Sequence, residues 1–386
     1  MYYPRLPRII TEHQRDMSEN KRRILQRDRN PHLFRPATFR SVTARNRIMM
    51  SPMCQYSATD GMPEEWHYVH LASRAVGGAG IVFTEATHVS PEGRITPNCL
   101  GIWNDDQRDA FRRITAFIAE QGAVPAMQIG HAGRKASTAR PWDGAGSLGP
   151  DTAQGWQVIG PSALPFADWQ TPVEMNDETI ARVLEDFVSA ARRAREAGFK
   201  LLELHAAHGY LGHSFLSPLS NRRTDDYGGT LENRARFLME TIEAIRREWP
   251  DELPLFVRLS CTDWVEDGLT LDDTVEVVKM ISDRGDVDLI DCSSGGNDTR
   301  QQIPVHPGYQ IPLAETVKRE TGMATAAVGL LHSPDFCEEV IANQRADLVV
   351  LGRTLLADPY WPLHAATKLR AENVNWPKQY ERSDIF

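Results

Sequence analysis

Short apolar runs rich in β-branched residues recur along the chain. Each is followed by a stretch whose apolar residues return at helical spacing. Eight such runs can be read: RIMMSPM, GIVFTEA, VPAMQIG, LLELHAA, LFVRLSC, VDLIDCS, ATAAVG and DLVVLG. Between them lie amphipathic segments such as 177–197 (DETIARVLEDFVSAARRAREA), where Ile180, Leu184, Phe187, Val188 and Ala191 repeat beneath a charged face. Strand–helix alternation predicts a parallel sheet wrapped by helices, and eight strands is the number that closes a barrel. The predicted fold is therefore α/β, a single-domain (β/α)8 TIM barrel. A Rossmann sheet is the structural rival, but no run is followed by GxGxxG.

Two segments fall outside this rhythm. Residues 1–30 mix Arg, Lys, Glu and Asn with little periodicity and read as a weakly ordered extension, leaving 31–386 as the barrel with a C-terminal tail. Residues 131–173 are rich in Gly and Pro and include Trp142, Trp156 and Trp169. A loop that long inside a compact domain is usually a cover over a site.

Composition narrows the partners. With 43 basic against 52 acidic residues the net charge is -9, which gives no attraction for nucleic acid or an anionic membrane surface. Five cysteines, an odd number without a CxxC pair, point to a reducing, cytoplasmic setting. No apolar run is long enough to cross a bilayer, and no export signal is visible.

In a closed barrel the C-terminal strand ends form the active face, so polar residues there weigh most. The first run leads into Ser51-Pro52-Met53-Cys54-Gln55-Tyr56 and the second into Glu85-Ala86; the third holds Gln128, with His131 and Lys135 following. The fourth delivers His205, His208 and Tyr210, and the fifth carries Arg258. After the last two runs come Gly329 and Gly352-Arg353, where many barrels hold a phosphate against close-approaching backbone and a fixed cation. These residues predict one cavity and a phosphorylated ligand. Taken alone, HxxH fits a metal pair, two neutral donors, or two histidines satisfied in a loop, though no third ligand stands at a familiar spacing. Taken alone, the same set would also suit a flavin-free lyase or hydrolase acting on a sugar phosphate.

Longer blocks carry more information: SPMCQYS (51–57), QIGHAGRK (128–135), ELHAAHGYLGHSFLSPLSNRRTDDYGGTLENRARF (203–237), LFVRLS (255–260), LIDCSSG (289–295) and ADLVVLGRTLLADP (346–359). In this order they resemble the Old Yellow Enzyme family, in its thermophilic-like branch, from about Pro31 onward. The resemblance implies noncovalent FMN, reduced by NADPH or NADH, and hydride transfer to activated alkenes such as enones, enals, maleimides and nitroalkenes, with no metal. It implies that Ser51, Pro52, Met53 and Cys54 lie along the flavin ring, Ala86 and Gln128 at its polar edge, Arg258 at the N1/O2 side, and Gly329, Gly352 and Arg353 at the phosphate. His205 and His208 resemble the pair that binds the activating oxygen, Tyr210 the proton donor, and Tyr56 a substrate-contacting phenol. The tail QYERSDIF is similar to one in which an arginine reaches a neighbouring subunit's site; Arg382 is the candidate, in a homodimer or homotetramer.

Each implied role has a chemical reason. An arginine stays protonated and stabilises negative charge gathering at the pyrimidine end of a reduced flavin. Two imidazole donors aimed at one oxygen act as an oxyanion hole, and a phenol supplies the proton at the α-carbon. Cys54 has two readings, an apolar filler or a sulfur that tunes the flavin; the resemblance favours tuning.

Overall fold

The computed structural model describes residues 30–383 apart from 373 and 375; the N-terminal extension predicted for residues 1–30 lies outside them but for Asn30. Eight strands form the barrel: β1 (Ile48–Met50), β2 (Ile81–Phe83), β3 (Val124–Gly130), β4 (Leu201–Ala206), β5 (Leu255–Ser260), β6 (Leu289–Ser293), β7 (Thr325–Ala327) and β8 (Leu348–Leu351). Every neighbouring pair is parallel, and β8 returns to β1 with Val349 opposite Ile48 and Leu351 opposite Met50. The barrel is closed, and each of the eight predicted runs supplies one of its strands. A ninth piece, Thr87–His88, extends the sheet beside the top of β3.

Seven helices follow β1 to β7 in turn: α1 (Glu65–Val76), α2 (Asp105–Glu120), α3 (Asp177–Glu196), α4 (Leu231–Arg246), α5 (Leu271–Arg284), α6 (Ile311–Thr321) and α7 (Pro334–Ala342); α8 (Trp361–Leu369) follows β8. The helix α3 shows why the sequence winds here. Asn176 accepts the Thr179 N–H, Asp177 and Glu178 stand in the first turn, and Arg193 and Arg195 stand in the last, each complementing the helix dipole. Ile180, Val183, Phe187 and Ala191 form its buried stripe.

Strand residues alternate between two apolar layers, as a period of two requires. Ile48, Met50, Val82, Leu202, Leu204, Val257 and Ile290 face the helices. Met49, Ile81, Phe83, Ala126, Leu201, Phe256, Leu289, Ala326 and Leu348 fill the barrel itself. A hairpin absent from the sequence prediction, Ala37–Phe39 against Val42–Ala44, plugs the lower end. Its Phe39 meets Phe256 edge-on at 5.0 Å, and Arg40 in its turn pairs with Asp288 at 2.6 Å.

Candidate active site

Inward positions become polar towards the C-terminal end of the barrel. On β4 the series is Leu201, Glu203, His205; on β5, Phe256, Arg258, Ser260; on β6, Leu289, Asp291, Ser293. Arg258 stands in register with His205 on one side and Asp291 on the other. Its Nη1 donates to Ser51 Oγ at 3.3 Å, and its Nε lies 3.2 Å from Asp291 Oδ2. Gln128 donates to Glu203 Oε1 at 2.7 Å. The predicted Ser51, Gln128, Arg258 and His205 therefore gather at one end of the barrel, Gln128 one inward position below the other strand residues.

The two histidines cross at right angles, with ring centroids 5.1 Å apart, and Tyr210 meets the His205 ring edge-on at 5.0 Å. Burial, followed by the Arg258 guanidinium, pushes both imidazoles well below their ordinary values, so they are neutral. His205 Nδ1 accepts the Ala207 N–H, which puts its proton on Nε2. His208 Nε2 is held 2.7 Å from Ser293 Oγ. Burial likewise pushes the Tyr210 phenol well up, with Cys54 and Tyr56 adding to it, so Tyr210 keeps its proton.

The turn carrying His208 is fixed by close backbone packing. His208 and Gly209 are both left-handed (φ 59° and 76°), as are Gly295 and Gly296 (φ 67° and 87°). A Cβ on Gly209 would lie 2.4 Å from the Gly296 carbonyl oxygen. Lys135 ties the two loops by donating to His208 O at 2.9 Å and to Gly296 O at 2.7 Å, with its ammonium over the Phe166 and Tyr210 rings. Ser260 Oγ accepts the His208 N–H and donates to Gly295 O.

The segment Ser51–Tyr56 is held from behind. Glu85 Oε2 accepts the Gln55 N–H at 3.1 Å, while Glu85 Oε1 lies 3.3 Å from Nε2 of His67 on α1, both side chains buried. The contact with Cys99, then burial, pushes the Cys54 thiol well up, so it is a neutral thiol. Trp142 is the one of the three cover tryptophans set against a predicted site residue, edge-on to Tyr56 at 5.7 Å. Trp156 instead stacks on Arg94 and donates to Glu92 O, and Trp169 packs on Phe166.

Gly329 and Gly352–Arg353 line a cavity of about 370 Å³ with Tyr309, Gln310 and His332. Gly329 has φ 134°, and a Cβ there would come within 3.2 Å of Gln310 N. At Gly352 a Cβ would approach Met53 Sδ and Ser51 Cβ at 3.7 and 3.8 Å, so this cavity adjoins the Ser51–Cys54 segment. A larger cavity, about 430 Å³, lies at the opposite end of the barrel beside Arg45 and Gln121. The Arg45 guanidinium there already donates to the carbonyls of Ala75, Ala79 and Gln121, so that cavity gains no free cation from it. Arg382 is exposed, in the segment Lys378–Ser383, and is not brought to the cluster of its own chain.

These residues fit FMN on their own terms. Arg258 is 5 % exposed and brings a guanidinium into the layer of inward polar side chains, which suits a ring edge that gathers negative charge. The glycine-walled cavity next to it suits a phosphate. Glu203, Asp291, His67, Ser293 and Cys99 are not singled out by the sequence, whereas Glu85 is, as the polar end of the second run. The signal available for Glu203 and Asp291 was parity: each stands two residues before an inward polar group on its strand.

A model described as the NADH:flavin oxidoreductase / NADH oxidase family matches residues 32–372. The chain is 47% identical over 357 residues to an NADPH dehydrogenase of Geobacillus sp. (strain WCH70), covering 92% of this chain and 99% of the relative. It is 45% identical over 353 residues to an NADPH dehydrogenase of Bacillus subtilis (strain 168), covering 91% and 98%. Among solved structures, morphinone reductase aligns with a TM-score of 0.73 at 26% identity, over 88% of this chain and 90% of that one. A 2-naphthoyl-CoA reductase complexed with 2-naphthoyl-CoA aligns with a TM-score of 0.79 at 28% identity; it covers 87% of this chain, which spans only 52% of that protein.

Proposed function

The chain belongs to the NADH:flavin oxidoreductase / NADH oxidase family, and is thus an oxidoreductase that works with FMN and NAD(P)H; from this premise we propose that it is an ene-reductase, passing hydride to the β-carbon of an activated alkene. The observation that carries the reading is the crossed pair of neutral imidazoles with a protonated phenol against one of them.

When bound, FMN supplies a two-electron store that accepts hydride from NAD(P)H and returns it to the substrate. Ser51, Pro52, Met53, Cys54, Ala86, Gln128 and Arg258 would hold its ring, and Gly329, Gly352 and Arg353 its phosphate. The rest falls to the chain's own side chains. His205 and His208, being neutral, donate N–H bonds to a carbonyl or nitro oxygen without introducing a charge of their own. Negative charge moves onto that oxygen as hydride adds to the β-carbon. Tyr210 then delivers its phenolic proton to the α-carbon and recovers one from water. Tyr56, with Trp142 at its edge, borders the substrate, and Cys54 lends a polarizable neutral sulfur rather than a nucleophile.

Substrates of this kind are small enones, enals, maleimides and nitroalkenes. Arg382 is assigned to the site of a second copy, in a homodimer or homotetramer. A reducing cytoplasmic setting is supported by Cys54, Cys99, Cys261, Cys292 and Cys337 all being free; among the described residues no helix is long and apolar enough to cross a membrane. The test is anaerobic reduction by NADPH followed by an alkene panel. Reoxidation by cyclohexenone is the expected outcome; a yellow protein that NADPH reduces but no activated alkene reoxidises would overturn the reading.

A further inference from the structure

Arg258 and Asp291 stand level with His205 above the apolar floor of the barrel, and Glu203 stands one inward position below His205 on the same strand. The two carboxyls are fully enclosed, at 0% exposure. If both were ionised, one guanidinium would face two anions, and a surplus buried charge is costly. Hydrogen bonding does not relieve it. Glu203 Oε1 accepts from Gln128, but Glu203 Oε2 and both oxygens of Asp291 have no hydrogen-bond partner. Arg258 Nε is 3.2 Å from Asp291 Oδ2, and its Nη1 is committed to Ser51.

An ionised carboxylate can only accept, whereas a protonated one gains a donor. A proton on one carboxyl removes the surplus charge and leaves a matched Arg258–Asp291 pair. Burial pushes both carboxyls up; Asp291 adds to the effect on Glu203, and Arg258 opposes it on both. No other described group nearby supplies a second cation. His205 and His208 are neutral, Met49, Ile81, Phe83, Ala326 and Val350 face inward from β1, β2, β7 and β8 without charge, and Lys135 is occupied at the loop above.

We propose that Glu203 and Asp291 share a single proton, held mainly by Glu203, so that Arg258 meets FMN with its charge already balanced, and that this charge balance sets the reduction potential of the bound flavin. The inference rests on the placement of Arg258 at the flavin in the reading above. It makes Glu203 and Asp291 positioning residues, acting through Arg258. Either carboxyl can balance the arginine when the other is neutralised, so the pair is redundant.

Redundancy has a non-additive signature. In anaerobic potentiometry of the holoenzyme at pH 8, Glu203→Gln exchanges one neutral group for another and leaves the midpoint almost unchanged. In Asp291→Asn, Glu203 releases its proton and takes over the pairing, again with little shift. The double variant leaves Arg258 unbalanced and stabilises the reduced flavin at least tenfold, about 30 mV for a two-electron couple. A rise of that size in Glu203→Gln alone, or additive shifts, would overturn the proposal.

Infrared spectroscopy gives a readout independent of turnover and of any change in the trio. Glu85→Gln removes the other enclosed glutamate whose proton burial favours. In that background a protonated-carboxyl stretch that shifts in D2O must persist at pH 8, and its absence sinks the idea even if the trio variants fail to fold. Alkene reduction without that band would refute the shared proton and spare the ene-reductase reading. The band in an FMN-loaded protein that reduces no alkene would do the reverse.

Discussion

The Gly209 N–H donates to Nδ1 of His213 across 2.9 Å, which places the His213 ring proton on Nε2, 3.1 Å from Asp263 Oδ1. Asp263 Oδ2 in turn accepts Ser217 Oγ–H at 2.6 Å and the Leu269 N–H at 2.8 Å. A buried chain of donors and acceptors thus runs from the loop after β5 to the turn that presents His208 and Tyr210. It is what holds a glycine in a left-handed conformation between two site residues.

Removing the anion from this chain is expected to be expensive. Asp263→Asn should destabilise the fold by about 1.5 to 3 kcal/mol at pH 7, the scale of a hydrogen bond to a charged group, since His213 donates to the carboxylate through Nε2 while its Nδ1 accepts. Burial pushes the Asp263 carboxyl up, but the His213 ring and the bonds from Ser217 and Leu269 outweigh it and hold it below its ordinary value. A depressed carboxylate contributes stability above its unfolded value and loses it as pH falls through the folded one. Urea midpoints measured from pH 7 to pH 3 should therefore converge for wild type and variant at the acid end; a constant gap would refute the assignment.

Gly209→Ala should be damaging for a steric reason alone. The new Cβ would meet the Gly296 carbonyl at 2.4 Å, at a φ of 76° that alanine resists. A loss of about 2 kcal/mol or more is expected from overpacking plus backbone strain, read as a lower thermal midpoint. Gly229→Ala, by contrast, adds a Cβ with nothing within 4 Å of it, though with φ 80°, so it tests strain without the clash. Equal losses at the two positions would remove the contact from the explanation.

Tyr210→Phe is expected to slow reoxidation by cyclohexenone about 10²-fold or more, the scale of general acid catalysis, and to leave reduction by NADPH nearly intact. Stopped-flow measurement of the two half-reactions separates these, and equal slowing would count against the proton-donor role. Changing His205 and His208 together to Ala should weaken phenolic ligands about 10²-fold, by analogy with the loss of an oxyanion-hole donor. Charge-transfer absorbance on titration with a phenol reads it directly.

Lys135 offers a pH test. Burial, with Arg134 beside it, lowers the ammonium to about 7. Between there and the ordinary lysine value the unfolded chain keeps a proton that the folded chain has released, so stability rises with pH across that window. Wild type should gain on Lys135→Met as pH goes from about 7 to about 10 in parallel thermal melts. A flat difference would show that Lys135 titrates normally.

The barrel was legible because strands buried on both faces write themselves as unbroken apolar runs, and the cavity shared by Gly329 and Gly352-Arg353 because they stand where the last two runs stop. His205, His208, Tyr210 and Arg258 were legible for the same positional reason. Glu203 and Asp291 were not, since one acid inside LLELHA or LIDCS does not disturb an apolar average and only inward parity exposes it. His213 with Asp263, and His67 with Glu85, join residues from separate loops and helices, for which no local spacing rule exists. The hairpin at Ala37–Ala44 consists of three-residue strands, too short to register as a period. Trp142 could not be told from Trp156 by composition, because only the path of the cover decides which of them meets Tyr56.

The seam between β8 and β1 sets an order on biosynthesis. Ser51 and Met53 emerge early from the ribosome, while Gly352 and Arg353 come near the end, and the two groups become neighbours only when the last strand docks. A nascent chain therefore owns half a binding site for most of its synthesis. If these residues hold FMN as proposed, its capture is deferred to barrel closure, and a truncated product would be colourless rather than a leaky source of reduced flavin.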